Sequence, residues 1–114
     1  MADRIDEATA ALARALAESP EMARMRELEG RVQARPEAAA RMRAYLEAQA
    51  AYAAHPTAEG AAALSRALEE AKRSPEIVEL MAAQQALLAR VQRAQEALWR
   101  AIGVEPETGC NRRG

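Results

Sequence analysis

Residues 75–102 read PEIVELMAAQQALLARVQRAQEALWRAI, and this stretch decides the fold. Three series of mostly apolar residues recur in it at a spacing of seven. This pattern predicts one long helix whose apolar face is wide enough to contact two neighbouring helices. The three series are Ile77, Gln84, Val91 and Leu98; Leu80, Leu87, Ala94 and Ala101; and Met81, Leu88, Gln95 and Ile102.

Prolines divide the remaining chain into further helices. Ser19-Pro20-Glu21 and Ser74-Pro75-Glu76 repeat one helix start, in which a serine hydroxyl can cap the helix and proline fits its first turn. Pro36 and Pro56 mark two more boundaries. Whether residues 4–34 form one bent helix or two stays open. The predicted helices cover residues 4–18, 20–34, 36–54, 58–72 and 75–102.

Composition supports an all-helical fold. Of 114 residues, 31 are alanine and none is phenylalanine. Alanine is the best helix former, and the chain lacks the β-branched and aromatic surplus that strands favour. We predict an all-α protein, an elongated antiparallel bundle of four to five helices with a long C-terminal helix. A single helical domain covers residues 1–102, and a flexible tail covers residues 103–114. Gly103 is the predicted stop of the last helix.

The length of the last helix predicts self-association. A helix of 28 residues is about 42 Å long, whereas a compact chain of this size has a radius of gyration of about 13–14 Å. We therefore expect another subunit to cover part of its apolar face, and Tyr45 and Tyr52, seven apart, to lie in the core or the interface. The candidate interface residues are Ile77, Leu80, Met81, Leu87, Leu88, Val91, Leu98, Trp99, Tyr45 and Tyr52.

Sequence features also argue against several classes of protein. The N-terminal segment is too short and too rich in alanine for a signal peptide or a membrane span, so we expect a cytoplasmic protein. His55 is the only histidine, and it sits before Pro56 at a helix end without a catalytic partner. No phosphate-binding glycine loop and no cluster with metal-ligand spacing is present. We predict no enzymatic activity and no resident cofactor.

Charge along the chain leaves three interpretations open. Residues 24–43 carry a local charge of +3, and residues 58–79 carry −2. The favoured interpretation is that the basic stretch is a solvated helix surface, and the next is that it meets the acidic stretch of another subunit. The third is that it binds RNA, although no aromatic residues for base stacking are interleaved with it. Its arginines are Arg24, Arg26, Arg31, Arg35, Arg41 and Arg43.

Four segments together resemble a known family. Residues 17–22 (AESPEM), 35–38 (RPEA), 42–52 and 74–84 (SPEIVELMAAQ) resemble, in order and spacing, the marks of the YlbF/YmcA/YheA family of small bacterial helical proteins. Met22 and Leu80 stand where that family commonly has Tyr or Phe. The resemblance implies an all-α bundle without enzymatic activity that self-associates or pairs with a paralogue.

The same resemblance implies partners. YlbF- and YmcA-like members act with YaaT as regulators of competence, biofilm formation and sporulation, and with ribonuclease Y in messenger-RNA processing. Some members carry C-terminal cysteines linked to iron–sulfur clusters. This chain has Cys110 alone in its tail, and a cluster normally takes four ligands. Cluster binding would therefore require Cys110 residues or other ligands from several subunits.

Overall fold

The computed structural model describes residues 3–103, and five α-helices make up this part of the chain. The all-α prediction is confirmed, and residues 4–34 form two helices rather than one. Connections of one to three residues join the helices. The helices are α1 Arg4–Ala17, α2 Pro20–Ala34, α3 Pro36–Ala54, α4 Ala58–Ala71 and α5 Pro75–Ala101.

Local signals explain where the helices begin and end. Ser19 caps α2, since its Oγ accepts from the Met22 N–H at 3.2 Å and donates to the Leu16 carbonyl at 2.7 Å. Ser74 occupies the equivalent position before α5, but its hydroxyl makes no capping bond, so that prediction is wrong. The predicted stop at Gly103 is confirmed, because Gly103 has a φ of 83°, a left-handed value that favours glycine.

The core lies where four helices meet. Helix α2 packs along the first half of α5, and α3 packs along α4. Helix α2 also contacts α3, and α3 touches α5. Three of the seven buried hydrophobic residues are alanines, which let the helices approach closely but bury little area each. The buried set is Leu28, Val32, Ala38, Ala71, Ile77, Leu80 and Ala83.

The molecule is elongated, as predicted. Its radius of gyration is 18.4 Å, and its principal extents are 47 × 37 × 28 Å. Two segments extend away from the core. Helix α1 has no buried residue, and α5 has none after Ala83. Within residues 3–103, no helix is both long and apolar enough to cross a membrane.

Candidate interaction surface

The second half of α5 carries an apolar face that the chain's own helices leave uncovered. Leu88, Val91, Leu98 and Ile102 are between 37% and 59% exposed. Steps of three and four residues separate the members of this face, which places them on one side of the helix. We name the face the α5 seam, and its members are Gln84, Leu88, Val91, Gln95, Leu98 and Ile102.

All charged residues of this segment lie away from the α5 seam. At 100° per residue, Arg90, Arg93, Glu96 and Arg100 fall about 110° or more from the centre of the seam. The seam therefore holds only apolar and glutamine side chains over residues 84–102. Covering it with another protein desolvates no charge, which removes the largest cost of burial.

The predicted interface residues separate into two groups. Ile77 and Leu80 lie in the chain's own core, where no partner reaches them in this conformation, and Met81 and Tyr45 pack against that core. By contrast, Leu88, Val91 and Leu98 are exposed on the seam, and Leu87 and Trp99 are half-buried beside it.

Tyr52 lies apart from both groups. It is half-buried near the end of α3, beside Gly60 in the first turn of α4. The ten residues therefore do not form one surface, and partner contact by the exposed members stays a prediction.

A groove between α3 and α5 adjoins the seam. It consists of two neighbouring cavities of about 310 and 280 Å³, and Met42, Leu46 and Gln84 line both of them. Leu46 is more than half exposed. We name these two cavities together the α3–α5 groove. Because Gln84 lines the groove and also begins the α5 seam, the groove and the seam form one continuous surface. The sequence pattern does not predict the groove, because the groove forms only where the fold brings α3 beside α5.

A second groove separates α1 from α5. Leu12, Ala15 and Leu16 form one wall, while Arg90, Arg93, Ala94 and Ala97 contribute to the other, around a cavity of about 430 Å³. Leu12 and Ile5 of α1 are exposed. This groove differs from the first because two arginines line it.

Ion pairs join the basic stretch to acidic residues of the same chain. Within α2, Glu27 lies 3.2 Å from Arg24 and 2.9 Å from Arg31. Both arginines also approach Glu79 of α5, at 3.8 and 3.7 Å. The hydrogen bond from Arg24, followed by the charge of Arg31, lowers the pKa of the Glu27 carboxyl. Each pair is half exposed, so its contribution to stability is small.

Two further arginines hold the start of α3 against α4 and α5. Nε of Arg35 lies 2.9 Å from Oε2 of Glu76, and Nε of Arg41 lies 3.7 Å from Oε2 of Glu70. Four of the six arginines in residues 24–43 thus pair within the chain. The basic and acidic stretches therefore meet within one molecule, and much of the charge that RNA binding would use is already paired.

Metal ligation finds no support in the part of the chain that is described. Residues 3–103 contain no group of three or more His, Cys, Asp or Glu side chains that could hold a metal ion. Cys110, with the predicted flexible tail, lies outside the described residues.

Comparison with known proteins identifies the family. Residues 5–102 match the family model described as "Control of competence regulator ComK, YlbF/YmcA". No curated protein and no solved structure was found to match the chain. The match spans all five helices, including the α5 seam and both grooves. The chain therefore belongs to the YlbF/YmcA family, a regulatory family associated with control of the competence regulator ComK.

Proposed function

We propose that the protein is a cytoplasmic, non-enzymatic regulator that acts by binding other proteins, and that the α5 seam is its contact surface. One observation carries the proposal: a charge-free apolar seam lies exposed on the part of α5 that extends beyond the core. Its first partner is a second copy of the chain or a paralogue.

Energetics favour coverage of this seam. Burial of apolar surface contributes about 25 cal/mol per Å², and monomeric proteins rarely expose large contiguous apolar patches. The core of this chain is small, with Leu28, Val32, Ile77 and Leu80 as its only large buried side chains in the described part. Association through the seam would bury further large apolar side chains and would bury no charged side chain with them.

The assembled protein would display its remaining helical surface to a regulatory partner. The family supports a role in the control of competence. By the resemblance described above, the partner is of the ribonuclease Y or YaaT kind, and the pathway involves messenger-RNA processing, biofilm formation or sporulation. Co-purification from the native host, with the chain as bait, tests which of these partners binds.

Sedimentation of a matched pair of variants tests the contact surface. Val91 and Val78 are both exposed valines of α5, but only Val91 lies on the seam. We expect the wild-type chain and Val78→Glu to sediment as dimers at micromolar concentration, and Val91→Glu to sediment as a monomer with an unchanged helical circular dichroism spectrum. A wild-type monomer across this range would contradict self-association.

RNA binding through the basic stretch is the alternative function. It requires the arginines of residues 24–43 to be available, whereas four of them contact carboxylates of the same chain. The proposal predicts no RNA affinity at about 50 mM salt. Affinity that falls steeply as salt rises would favour the alternative, because such a slope reports phosphate contacts.

A further inference from the structure

The α3–α5 groove and the α5 seam adjoin each other, and this position suggests what fills the groove. It opens directly beside the first residue of the α5 seam, and its walls are apolar or glutamine side chains near that point. Five of the eight exposed large hydrophobic residues in the described part lie on the groove or the seam: Leu46, Leu88, Val91, Leu98 and Ile102.

The seam constrains how two copies can meet. The face of α5 that holds Ile77 and Leu80 in the first half continues as the seam in the second half. In a parallel pair, the α2 and α3 layers of both copies would occupy the same space at the level of Ile77. An antiparallel pair places the two cores at opposite ends and leaves both seams free to join.

Register follows from the spacing of the seam. Antiparallel helices join best when every seam position has a partner. One register achieves this within the described helix: Leu88 opposite the partner's Leu98, Val91 opposite the partner's Gln95, and Gln84 opposite the partner's Ile102. If the partner helix is shifted by seven residues in one direction, the seam residues must pair with Ile77 and Met81, which contact the chain's own core. If it is shifted in the other direction, some seam residues pair with positions past the end of α5.

This register brings the end of one α5 to the groove of the other copy. Gln84 lines the groove, and the partner's Ile102 lies opposite it. The partner's Trp99 lies at the level of Leu87, within one helical turn of Gln85, another lining residue. We propose that the α3–α5 groove is a docking site for a second copy of this chain, and that the partner's Trp99 and Ile102 fill it in an antiparallel, two-fold symmetric dimer. This inference rests on the proposed function.

Area and charge support this occupant. The seam over residues 84–102 is a strip of about 28 by 10 Å, which is smaller than the area of about 800 Å² that each partner contributes to a stable interface. A stable dimer therefore needs contacts beyond the seam. The groove supplies additional contact at both ends of the strip. Its one charged lining residue, Glu29, lies on α2, away from Leu46 and Gln85 on α3 and α5, so the docked side chains meet no charge there.

Disulfide cross-linking tests the orientation. With Cys110→Ser as the background, we expect a mixture of Leu88→Cys and Leu98→Cys proteins to form a cross-linked heterodimer under mild oxidation, and each protein alone to remain uncross-linked. Val78→Cys in the same background is the control for random collision. Cross-linking of each seam variant with itself, and no gain in the mixture, would show a parallel pair and overturn the proposal.

Trp99, the single tryptophan, reports on the groove directly. Leu46→Glu places a charge in the groove at an exposed position, and Ala51→Glu places the same charge at an exposed position on another side of α3. We expect Leu46→Glu to weaken the dimer at least tenfold and to shift the Trp99 emission to that of the Val91→Glu monomer, while Ala51→Glu changes neither. Helical circular dichroism confirms that the variants fold.

Failure of this inference is distinguishable from failure of the proposed function. If Val91→Glu dissociates the dimer and Leu46→Glu leaves both the dimer and the Trp99 emission unchanged, the seam is an interface and the groove is not a docking site. If the wild-type chain is a monomer, self-association and this inference are both overturned, whereas pairing of the seam with a paralogue is decided by the co-purification described above.

Discussion

Nη1 of Arg41 donates a hydrogen bond to Oγ of Ser74 at 2.9 Å and so joins α3 to the connection between α4 and α5. Ser74 is buried, and Oε2 of Glu70 lies 3.7 Å from Nε of the same arginine. The Ser74 hydroxyl thus serves α3 rather than the start of α5, where the Ile77 N–H donates to the Ser74 backbone carbonyl at 3.0 Å instead of to its side chain.

Loss of the Arg41 side chain is expected to destabilise the fold. Arg41→Ala leaves a buried hydroxyl without its charged donor, so the free energy of unfolding should fall by about 1–3 kcal/mol. Urea denaturation measures the change. Arg43→Ala, at an exposed position two residues on, is the control and should change stability by less than about 0.5 kcal/mol. In protein that already carries Ser74→Ala, Arg41→Ala should lower the free energy of unfolding by less than it does in the wild-type protein. Equal losses in the Ser74→Ala and wild-type proteins would contradict the contact.

Two adjacent residues of α5 should respond very differently to truncation. Ile77 is fully buried in the core, whereas its neighbour Val78 is 46% exposed. Ile77→Ala should lower the free energy of unfolding by about 2–5 kcal/mol through lost burial and a cavity, and Val78→Ala should change it by less than about 0.5 kcal/mol. Thermal or urea unfolding of both variants provides the measurement. Similar losses would mean that the first half of α5 is not packed as described.

Two helix caps with the same geometry should differ in their effect on stability. Ser19 caps α2, which packs on the core, whereas Asp3 Oδ1 accepts from the Asp6 N–H at 2.8 Å and caps α1, which has no buried residue. Ser19→Ala should lower global stability by about 1 kcal/mol. Asp3→Ala should leave the global value unchanged and increase amide hydrogen exchange only within α1. A global loss from Asp3→Ala would show that α1 is coupled to the core.

The Glu27 carboxyl should titrate at a lower pH than an ordinary glutamate. Because folding lowers its pKa, its ion pairs contribute stability above the ordinary value of about 4.3, and this contribution is lost as pH falls through the lowered pKa. Carbon-detected NMR titration of the Glu27 side chain measures the midpoint. Arg24→Gln should raise that midpoint, because Arg24 contacts Glu27, and Arg26→Gln should not, because the arginine partners of Glu27 are Arg24 and Arg31. Added salt should also raise it.

Helix boundaries were largely predictable from the sequence. The five predicted helices agree with the observed ones to within one residue at each end. Serine and threonine caps, prolines in first turns and Gly103 act through backbone hydrogen bonds and dihedral angles within a few residues of themselves, so neighbours in the chain are enough to define them.

Contacts between helices were less predictable. Ser19 and Ser74 stand in the same local pattern, but only Ser19 caps its helix with its side chain, whereas the Ser74 hydroxyl accepts from Arg41, 33 residues away in sequence. The charge pattern of residues 24–43 and 58–79 likewise indicated pairing, but not that Glu70, Glu76 and Glu79 would lie in the same molecule as their arginines. Such pairings depend on which helices the fold brings side by side.

By itself, the sequence determined an all-helical chain with five short-linked helices and a repeat of seven along the whole of α5. Only the tertiary structure decided which half of that repeat is covered. Ile77 and Leu80 meet α2 and α3, whereas Leu88, Val91 and Leu98 carry the same pattern beyond the core. The physical reason is that a periodic apolar pattern orients a helix face toward a neighbour but does not specify the neighbour, and the buried residues of α5 all lie in its first half, between Ile77 and Ala83.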